Sequence, residues 1–218
     1  MLSVRLMRKE DIDQVTEIDR EAFPAMWPPV NYQHELQNPL AHYIVAADEE
    51  KTIEEPEVEI ALPKGFSRLT SRMKRLFGYD RFFSSEAPSS SRQYITGFAG
   101  FWIMAGEAHL ISLAVRETYR HGGIGELLFI ATIDLAAQLK AHIITLEVRA
   151  SNTAAISLYR KYGFIQVGLR RGYYIDNKED AILMSTEDIT SASFQAHLQQ
   201  LKESHSRKWG IPLYQITR

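Results

Sequence analysis

The sequence contains no cysteine among its 218 residues. This absence excludes disulfide bonds, thiolate metal sites and a cysteine nucleophile, and it fits a protein of a reducing compartment. The seven histidines show no pair at metal-ligand spacing beside a carboxylate. We therefore predict that the protein holds no metal.

An excess of charge and an unbroken apolar run are also missing. The formal net charge of -2 gives no reason to expect a nucleic-acid partner or an anionic membrane. Residues 1–15 carry charges and lack the apolar core of a signal peptide. The run Tyr94–Val115 is broken by glycines, Glu107 and His109, so it predicts two strands around the segment AGEAH and not a transmembrane segment. These features predict a cytoplasmic protein.

Composition divides the chain into a main domain, residues 1–50 and 93–186, an insertion at 51–92 and a helical tail at 187–218. The insertion ends in SSEAPSSSRQ, which is typical of a linker or a disordered segment, so we expect it to be partly flexible. Its segment FSRLTSRMKRLF (66–77) predicts a basic amphipathic helix. That helix could dock on a membrane surface or an acidic partner, but packing on the domain or on a second copy is favoured.

The stretch YRHGGIGELLF, from 119 to 129, places three glycines at the start of an apolar-periodic helix. Glycines leave backbone N–H groups accessible, and the N-terminus of a helix favours an anion such as phosphate. A dinucleotide-binding fingerprint fails because Leu128 stands where its last glycine is needed, and a Walker loop fails because no Gly-Lys-Ser/Thr follows. The pattern Arg120-x-x-Gly123-x-Gly125 remains, either as a pyrophosphate loop or as a structural turn.

Three segments, ISLAVRETYRHGGIGELLF, LEVRASNTAAISLYRKYGF and RRGYYIDNKEDAILM, resemble the GNAT acetyltransferase superfamily. More narrowly, they resemble the RimI-type ribosomal-protein alanine N-acetyltransferases. The resemblance is nearly continuous from about Leu110 to Met184, and it is weaker in the first fifty residues. It implies an α/β fold with a mixed, mostly antiparallel sheet and helices on both faces, to which the insertion and the tail are additions.

The resemblance implies that acetyl-CoA is the acetyl donor. The glycine loop would hold its pyrophosphate largely through main-chain groups, and the preceding strand would offer backbone groups to the pantetheine and the acetyl carbonyl, as an oxyanion hole does. An asparagine would contact the cofactor, in addition to capping a helix. The cofactor-binding residues predicted in this way are Leu113, Ala114, Val115, Arg120, His121, Gly122, Gly123, Ile124, Gly125, Glu126 and Asn152.

Glu147 lies on an otherwise apolar strand, IITLEV, where a carboxylate is unfavourable unless it is paired, hydrated or used in chemistry. Period-two alternation places Glu147 on the same face as Thr145 and opposite Leu146. The resemblance implies that Glu147 is the general base that takes a proton from the acceptor amine through water. The alternative is a structural ion pair with a residue such as Arg149 or Arg170.

Tyr159 lies in the segment SLYRKYGF, where the resemblance implies a general acid that returns a proton to the CoA thiolate. By composition alone, a core aromatic is the simpler interpretation. Because the chain has no cysteine, an acetyl-cysteine intermediate is excluded, and direct attack in a ternary complex is preferred.

Three aromatic residues are predicted to bind the acceptor. Tyr173 and Tyr174 resemble tyrosines with which N-terminal acetyltransferases close over a peptide, although two strand aromatics are an equal alternative. Trp27, in the segment FPAMWPP, would shape the pocket for the first residue of the acceptor.

The resemblance as a whole implies transfer of an acetyl group to the N-terminal α-amine of a protein or peptide, ribosomal proteins included. Two alternatives remain open: an acetyltransferase for small amines or lysine, and a non-catalytic acyl-CoA-binding regulatory module. The sequence does not define the oligomeric state.

Overall fold

Seven strands and five α-helices form the protein in a computed structural model that describes residues 2–24, 29–53 and 92–210. The predicted substrate residue Trp27 and the predicted helix 66–77 lie outside these residues. The strands are β1 (Leu2–Leu6), β2 (Ala41–Ile53), β3 (Arg92–Met104), β4 (Glu107–Val115), β5 (Ile143–Arg149), β6 (Ile165–Arg170) and β7 (Ala181–Ser185).

The seven strands form one sheet in the order β1-β2-β3-β4-β5-β7-β6. Each neighbouring pair is antiparallel except β4 and β5, which run parallel. Short turns suffice for antiparallel neighbours, whereas the parallel step needs a crossover, and a helix supplies it. The predicted mixed, mostly antiparallel sheet is therefore confirmed.

Five α-helices in the described residues cover the sheet. They are α1 (Ile12–Ala22), α2 (Tyr32–Glu35), α3 (Ile124–Gln138), α4 (Thr153–Lys161) and α5 (Ala192–Trp209). Short 3-10 turns at Lys9–Asp11 and Glu117–Tyr119 precede α1 and the glycine loop. Among the described residues, no helix has the length and apolarity needed to cross a membrane.

Period-two alternation separates two hydrophobic cores. On β2, Ile44 and Ala46 face the larger core, which lies against α3, α4 and α5. Tyr43 and Val45 face the smaller core, which lies against α1 and α2. Ten of the fifteen residues of α3 are buried, so this helix is the centre of the larger core and not an amphipathic surface helix. The helix that follows the glycine loop is thus held rigidly.

The sheet opens between its two central strands. Strands β4 and β5 pair only from Glu107 with Ile143 to Leu110 with Leu146. A bulge at Ile111 disrupts the register of β4 with β3, because Leu110 pairs with Phe101 and Ser112 pairs with Gly100. Bulges bend a strand and increase its local twist. Beyond Leu110, β4 and β5 continue without pairing with each other.

Candidate active site

The end of β4 presents unpaired backbone groups to the opening between the strands. The N–H of Arg116 donates to the Thr96 carbonyl of β3 at 2.9 Å. Because groups on alternate residues of a strand point to the same edge, the N–H groups of Leu113 and Val115 point to the opposite edge, toward β5. Ala114 lies between them with its side chain buried in the smaller core. The predicted residues 113–115 therefore line the opening.

The glycine loop continues from this edge into α3. Gly123 precedes the helix with a φ of 81°, in the left-handed region, and no side chain caps the helix at this position. Its carbonyl accepts the first helical hydrogen bond, from the N–H of Leu127 at 2.9 Å. Backbone N–H groups of the first turn are thus left available to an anion.

Two side chains of the loop are held by internal contacts. The Nε of Arg120 donates to the Val115 carbonyl at 3.2 Å, which ties the loop to the open strand edge. Glu126 accepts hydrogen bonds from Lys161 and from the Tyr162 hydroxyl. Burial opposes ionisation of Glu126, but these bonds and the Lys161 charge outweigh it and lower its pKa. The charge of Glu126 is therefore compensated where an anionic ligand would lie.

Asn152 caps α4, as predicted. Its side-chain oxygen accepts the backbone N–H of Ala155 at 3.1 Å. An N-cap of this kind typically contributes about 1 kcal/mol to helix stability. The capping role of Asn152 is thus visible, and a contact with a cofactor stays a prediction.

Glu147 is the first residue of β5 beyond the last pair with β4. Its side chain is only 8% exposed, and its Oε1 lies 2.8 Å from Nη2 of Arg170. Its Oε2 lies 2.9 Å from Nε2 of His109. The ion pair considered as an alternative is therefore present with Arg170. The other candidate partner, Arg149, instead pairs with Asp176 and Glu179.

His109 also belongs to this site, although the sequence predicts no role for it and shows it only as an interruption of an apolar run. It faces Glu147 because β4 pairs in parallel with β5, in a register that sets His109 opposite Thr145. Alternation within β4 indicates the face of His109, but no local pattern indicates which strand lies beside it. The pair thus depends on a long-range strand pairing.

Hydrogen bonds extend from this pair along the same face of the sheet. The Thr145 hydroxyl donates its single hydrogen to Glu107 Oε1 at 2.6 Å, so its oxygen accepts from Nδ1 of His109 at 2.8 Å. On the other side of the ring, Nε2 of His109 lies 2.9 Å from Oε2 of Glu147. These contacts form a continuous chain of polar side chains from Glu147 to Glu107.

Tyr159 lies in the larger core, 8% exposed, with its ring against Phe129 and Phe164. Burial raises the pKa of Tyr159 to about 12, and the nearby Tyr174 phenol adds to this shift. Within the described part of the chain, its hydroxyl makes no hydrogen bond. The ring is a core aromatic, and its hydroxyl stays protonated and available as a donor.

Tyr173 and Tyr174 lie in the connection between β6 and β7, and so the alternative of two strand aromatics is wrong. Their rings meet edge to face, with centroids 5.3 Å apart. The Arg149 guanidinium stacks on Tyr174 at 3.8 Å, and Arg170 lies 5.4 Å from the Tyr173 ring. Because Arg170 also pairs with Glu147, it connects this loop to the buried carboxylate.

The chain is similar in sequence to several known proteins. The sequence pattern described as "Acetyltransferase (GNAT) family" matches residues 58–164. A protein of Bacillus subtilis (strain 168), provisionally assigned as a ribosomal protein bS18-alanine N-acetyltransferase, is 31% identical over 84% of this chain and 93% of its own length. An N-alpha-acetyltransferase of Sulfurisphaera tokodaii is 31% identical over 84% of this chain and 90% of its own length.

The fold is also similar to solved structures. The crystal structure of the ribosomal-protein-S18-alanine N-acetyltransferase from Escherichia coli aligns with a TM-score of 0.61 and 22% identity, over 88% of this chain and 97% of the other. The relatives and the fold define the class of protein as an N-acetyltransferase enzyme. Within that class, the chain belongs to the GNAT family, whose members generally use acetyl-CoA.

Metal ligation finds no support in the same region. Among residues 2–24, 29–53 and 92–210, no group of three or more histidine, aspartate or glutamate side chains lies close enough to hold a metal ion. His109, Glu147 and Glu107 are instead spaced along a hydrogen-bonded path.

Proposed function

We propose that the protein transfers an acetyl group from acetyl-CoA to the N-terminal α-amine of a protein or peptide. The observation that carries this proposal is the pair of Glu147 and His109, which lies where β4 and β5 separate. This position sets a buried carboxylate beside the unpaired backbone groups of β4. The Glu147 carboxylate, as proton acceptor, and the backbone N–H groups of β4, as hydrogen-bond donors, would then lie at the same opening.

Two observations support the binding of acetyl-CoA in the opening between β4 and β5. The pyrophosphate would lie at the uncapped start of α3, where the helix dipole and the free N–H groups of residues 124–126 favour an anion. The pantetheine would lie along the free edge of β4, with the N–H groups of Leu113 and Val115 as donors. Arg120, His121 and Gly122 shape the entry to the loop, and Asn152 borders the other side through the start of α4.

Acetyl-CoA supplies the acetyl group as a thioester that the acceptor amine attacks directly. An α-amine has a pKa of about 8, so at neutral pH most of it is protonated and must lose a proton before it attacks. Glu147 and His109 take that proton, through water, and the path through Thr145 to Glu107 disperses it. General-base assistance of this type contributes about 10²–10⁴ in rate.

Tyr159 would provide a proton or a hydrogen bond to the departing sulfur. Its raised pKa, about 12, keeps the hydroxyl protonated at every pH at which an amine is acetylated. The surrounding core fixes the ring through Phe129 and Phe164, so the hydroxyl needs little reorganisation to act.

The acceptor would enter on the face of the sheet that carries His109. The Tyr173–Tyr174 pair borders this face through Arg170, and Tyr173 is 44% exposed, so it is accessible to a peptide. The names of the Bacillus and Sulfurisphaera relatives support an N-terminal amine as the acceptor. Trp27 would complete the wall for the first residue.

The test is release of CoA from acetyl-CoA with peptides that begin with alanine, serine or methionine. An N-terminally blocked peptide that contains lysine, and a panel of small amines, serve as the alternative acceptors. We expect acetylation of free N-termini by the wild type and its loss in Glu147→Gln, with Asp13→Asn, whose side chain is 90% exposed, as the acidic control. Acetylation of the blocked peptide or the small amines alone would replace the N-terminal assignment, and binding of CoA without any transfer would favour a regulatory module.

A further inference from the structure

Helix α5, in the predicted tail, ends directly behind the glycine loop. His205 is 4% exposed, and its Nε2 lies 2.9 Å from the Gly123 carbonyl. Because a carbonyl only accepts, Nε2 carries the hydrogen. The same carbonyl accepts the N–H of Leu127, so both of its acceptor positions are in use. Gly123, which directly precedes α3, is thus held by two hydrogen bonds to its carbonyl.

Trp209, one turn after His205, fills the space beside Gly123. A Cβ atom added to Gly123 would lie 2.6 Å from Cδ1 and from Nε1 of the Trp209 ring. Gly123 also has a φ of 81°, which side chains other than glycine rarely adopt. Glycine is therefore required here by the backbone conformation and by the indole ring packed against it.

Independent contacts fix α5 to the rest of the domain. Leu198 is 2% exposed in the larger core, and Lys202 pairs with Asp134 of α3 at 2.6 Å. Nearer its start, Nε2 of His197 lies 3.1 Å from the Lys161 carbonyl at the end of α4. These contacts hold the helix on both α3 and α4, so its last turn is a firm support for the loop.

We infer that His205 and Trp209 are positioning residues for the acetyl donor. By holding Gly123 in its left-handed conformation, they orient the N–H groups at the start of α3 toward the pyrophosphate. This inference rests on the proposed function, in which the glycine loop binds acetyl-CoA. It assigns a role to the tail, which lies outside the segments that resemble the family.

The first experiment compares His205→Leu with His205→Gln, because the glutamine amide can replace the Nε2 donor. Kinetics with acetyl-CoA and an acceptor peptide are combined with calorimetric binding of CoA. Loss of the hydrogen bond should raise the KM for acetyl-CoA and the Kd for CoA about tenfold. The KM for the peptide and kcat should stay near the wild-type values, and His205→Gln should recover most of the affinity.

His197→Leu is the matched control, since it removes a similar imidazole-to-carbonyl contact of the same helix away from Gly123. We expect its affinity for CoA to equal that of the wild type. Two outcomes would overturn the inference. One is an affinity of His205→Leu for CoA equal to that of the wild type, and the other is a lower kcat with both KM values raised together, in proportion to a lower thermal stability. Failure of the wild type to bind CoA would instead overturn the proposed function.

A second measurement leaves His205 and Trp209 unchanged. The chain has three tryptophans, so Trp27→Phe combined with Trp102→Phe leaves Trp209 as the single tryptophan. Binding of CoA, followed in parallel by calorimetry, should change the emission of Trp209. Unchanged emission at saturating CoA would show that the indole does not sense the loop and would contradict the inference.

Discussion

The proposed donor side and the proposed proton-transfer side of the site differ in composition. The proposed donor side consists of backbone groups, at the free edge of β4 and the N-terminus of α3. The proposed proton-transfer side consists of side chains from several strands, with Glu147 held between His109 and Arg170. A backbone site tolerates many side chains but few changes of conformation, whereas a side-chain site depends on each atom. The following substitutions test this difference.

Glu147→Gln should have the largest effect, because it removes the proton acceptor and leaves the shape of the site. We expect kcat to fall by about 10²–10⁴ with little change in the KM for acetyl-CoA. Steady-state kinetics with an N-terminally free peptide measure both values. If Glu147 only holds Arg170 in place, kcat will fall no more than in Arg170→Met, which removes that ion pair together with the contact of Arg170 with the Tyr173 ring.

Tyr159→Phe should lower kcat by about 10² if the hydroxyl assists the departing sulfur. Thermal stability should change little, because the ring contacts with Phe129 and Phe164 remain. The acid form is required, and it persists until the pH rises through the pKa of about 12. Wild-type kcat should therefore show no alkaline decline from Tyr159 below pH ~11, and an unchanged kcat in the variant would leave Tyr159 as a core aromatic.

Gly123→Ala should damage the donor side and spare the proton-transfer side. Alanine at a φ of 81° is strained, and its Cβ would collide with Trp209. We expect the KM for acetyl-CoA to rise about tenfold or more, with a lower Tm. Gly163→Ala is the matched control, because Gly163 has a similar φ of 84° outside the glycine loop and its Cβ would lie 3.5 Å from the Phe194 ring, an ordinary contact. Equal effects of the two substitutions would contradict the specific role of Gly123.

Thr145→Val should have the smallest effect, since it removes one hydroxyl from the path between His109 and Glu107. We expect kcat to fall about threefold to tenfold, because His109 loses the hydrogen-bond acceptor of its Nδ1–H group. Steady-state kinetics at one pH measure the change. An unchanged kcat would mean that the proton does not travel beyond His109.

The same difference explains what the sequence could predict. The glycine loop is predictable because its signal, three glycines before an apolar helix, lies within a few neighbouring residues. Asn152 is predictable as a cap for the same reason, and the face of Glu147 follows from alternation along one strand. These features depend on local geometry, which the sequence order alone determines.

The rest depends on contacts between distant segments. His109 meets Glu147 only because β4 and β5 pair in one register, 38 residues apart along the chain. His205 reaches Gly123 across 82 residues, and no pattern in the tail indicates that contact. The sequence around Tyr173 and Tyr174 is also compatible with a strand, but the two residues lie in a loop. Gly172 has a left-handed conformation, its N–H donates to the Asp180 side chain, and the N–H of Tyr174 donates to the Glu179 carbonyl.

The separation of β4 from β5 has a consequence for aggregation. An unpaired strand edge is ordinarily a template on which other chains can pair, and proteins cover or charge such edges. Here the unpaired edge lies in the middle of a seven-stranded sheet, in a fork that closes at Leu110 and Leu146. A strand from another protein would have to thread into that fork. The free backbone groups of β4 and β5 thus lie inside this fork and not along an outer edge of the sheet.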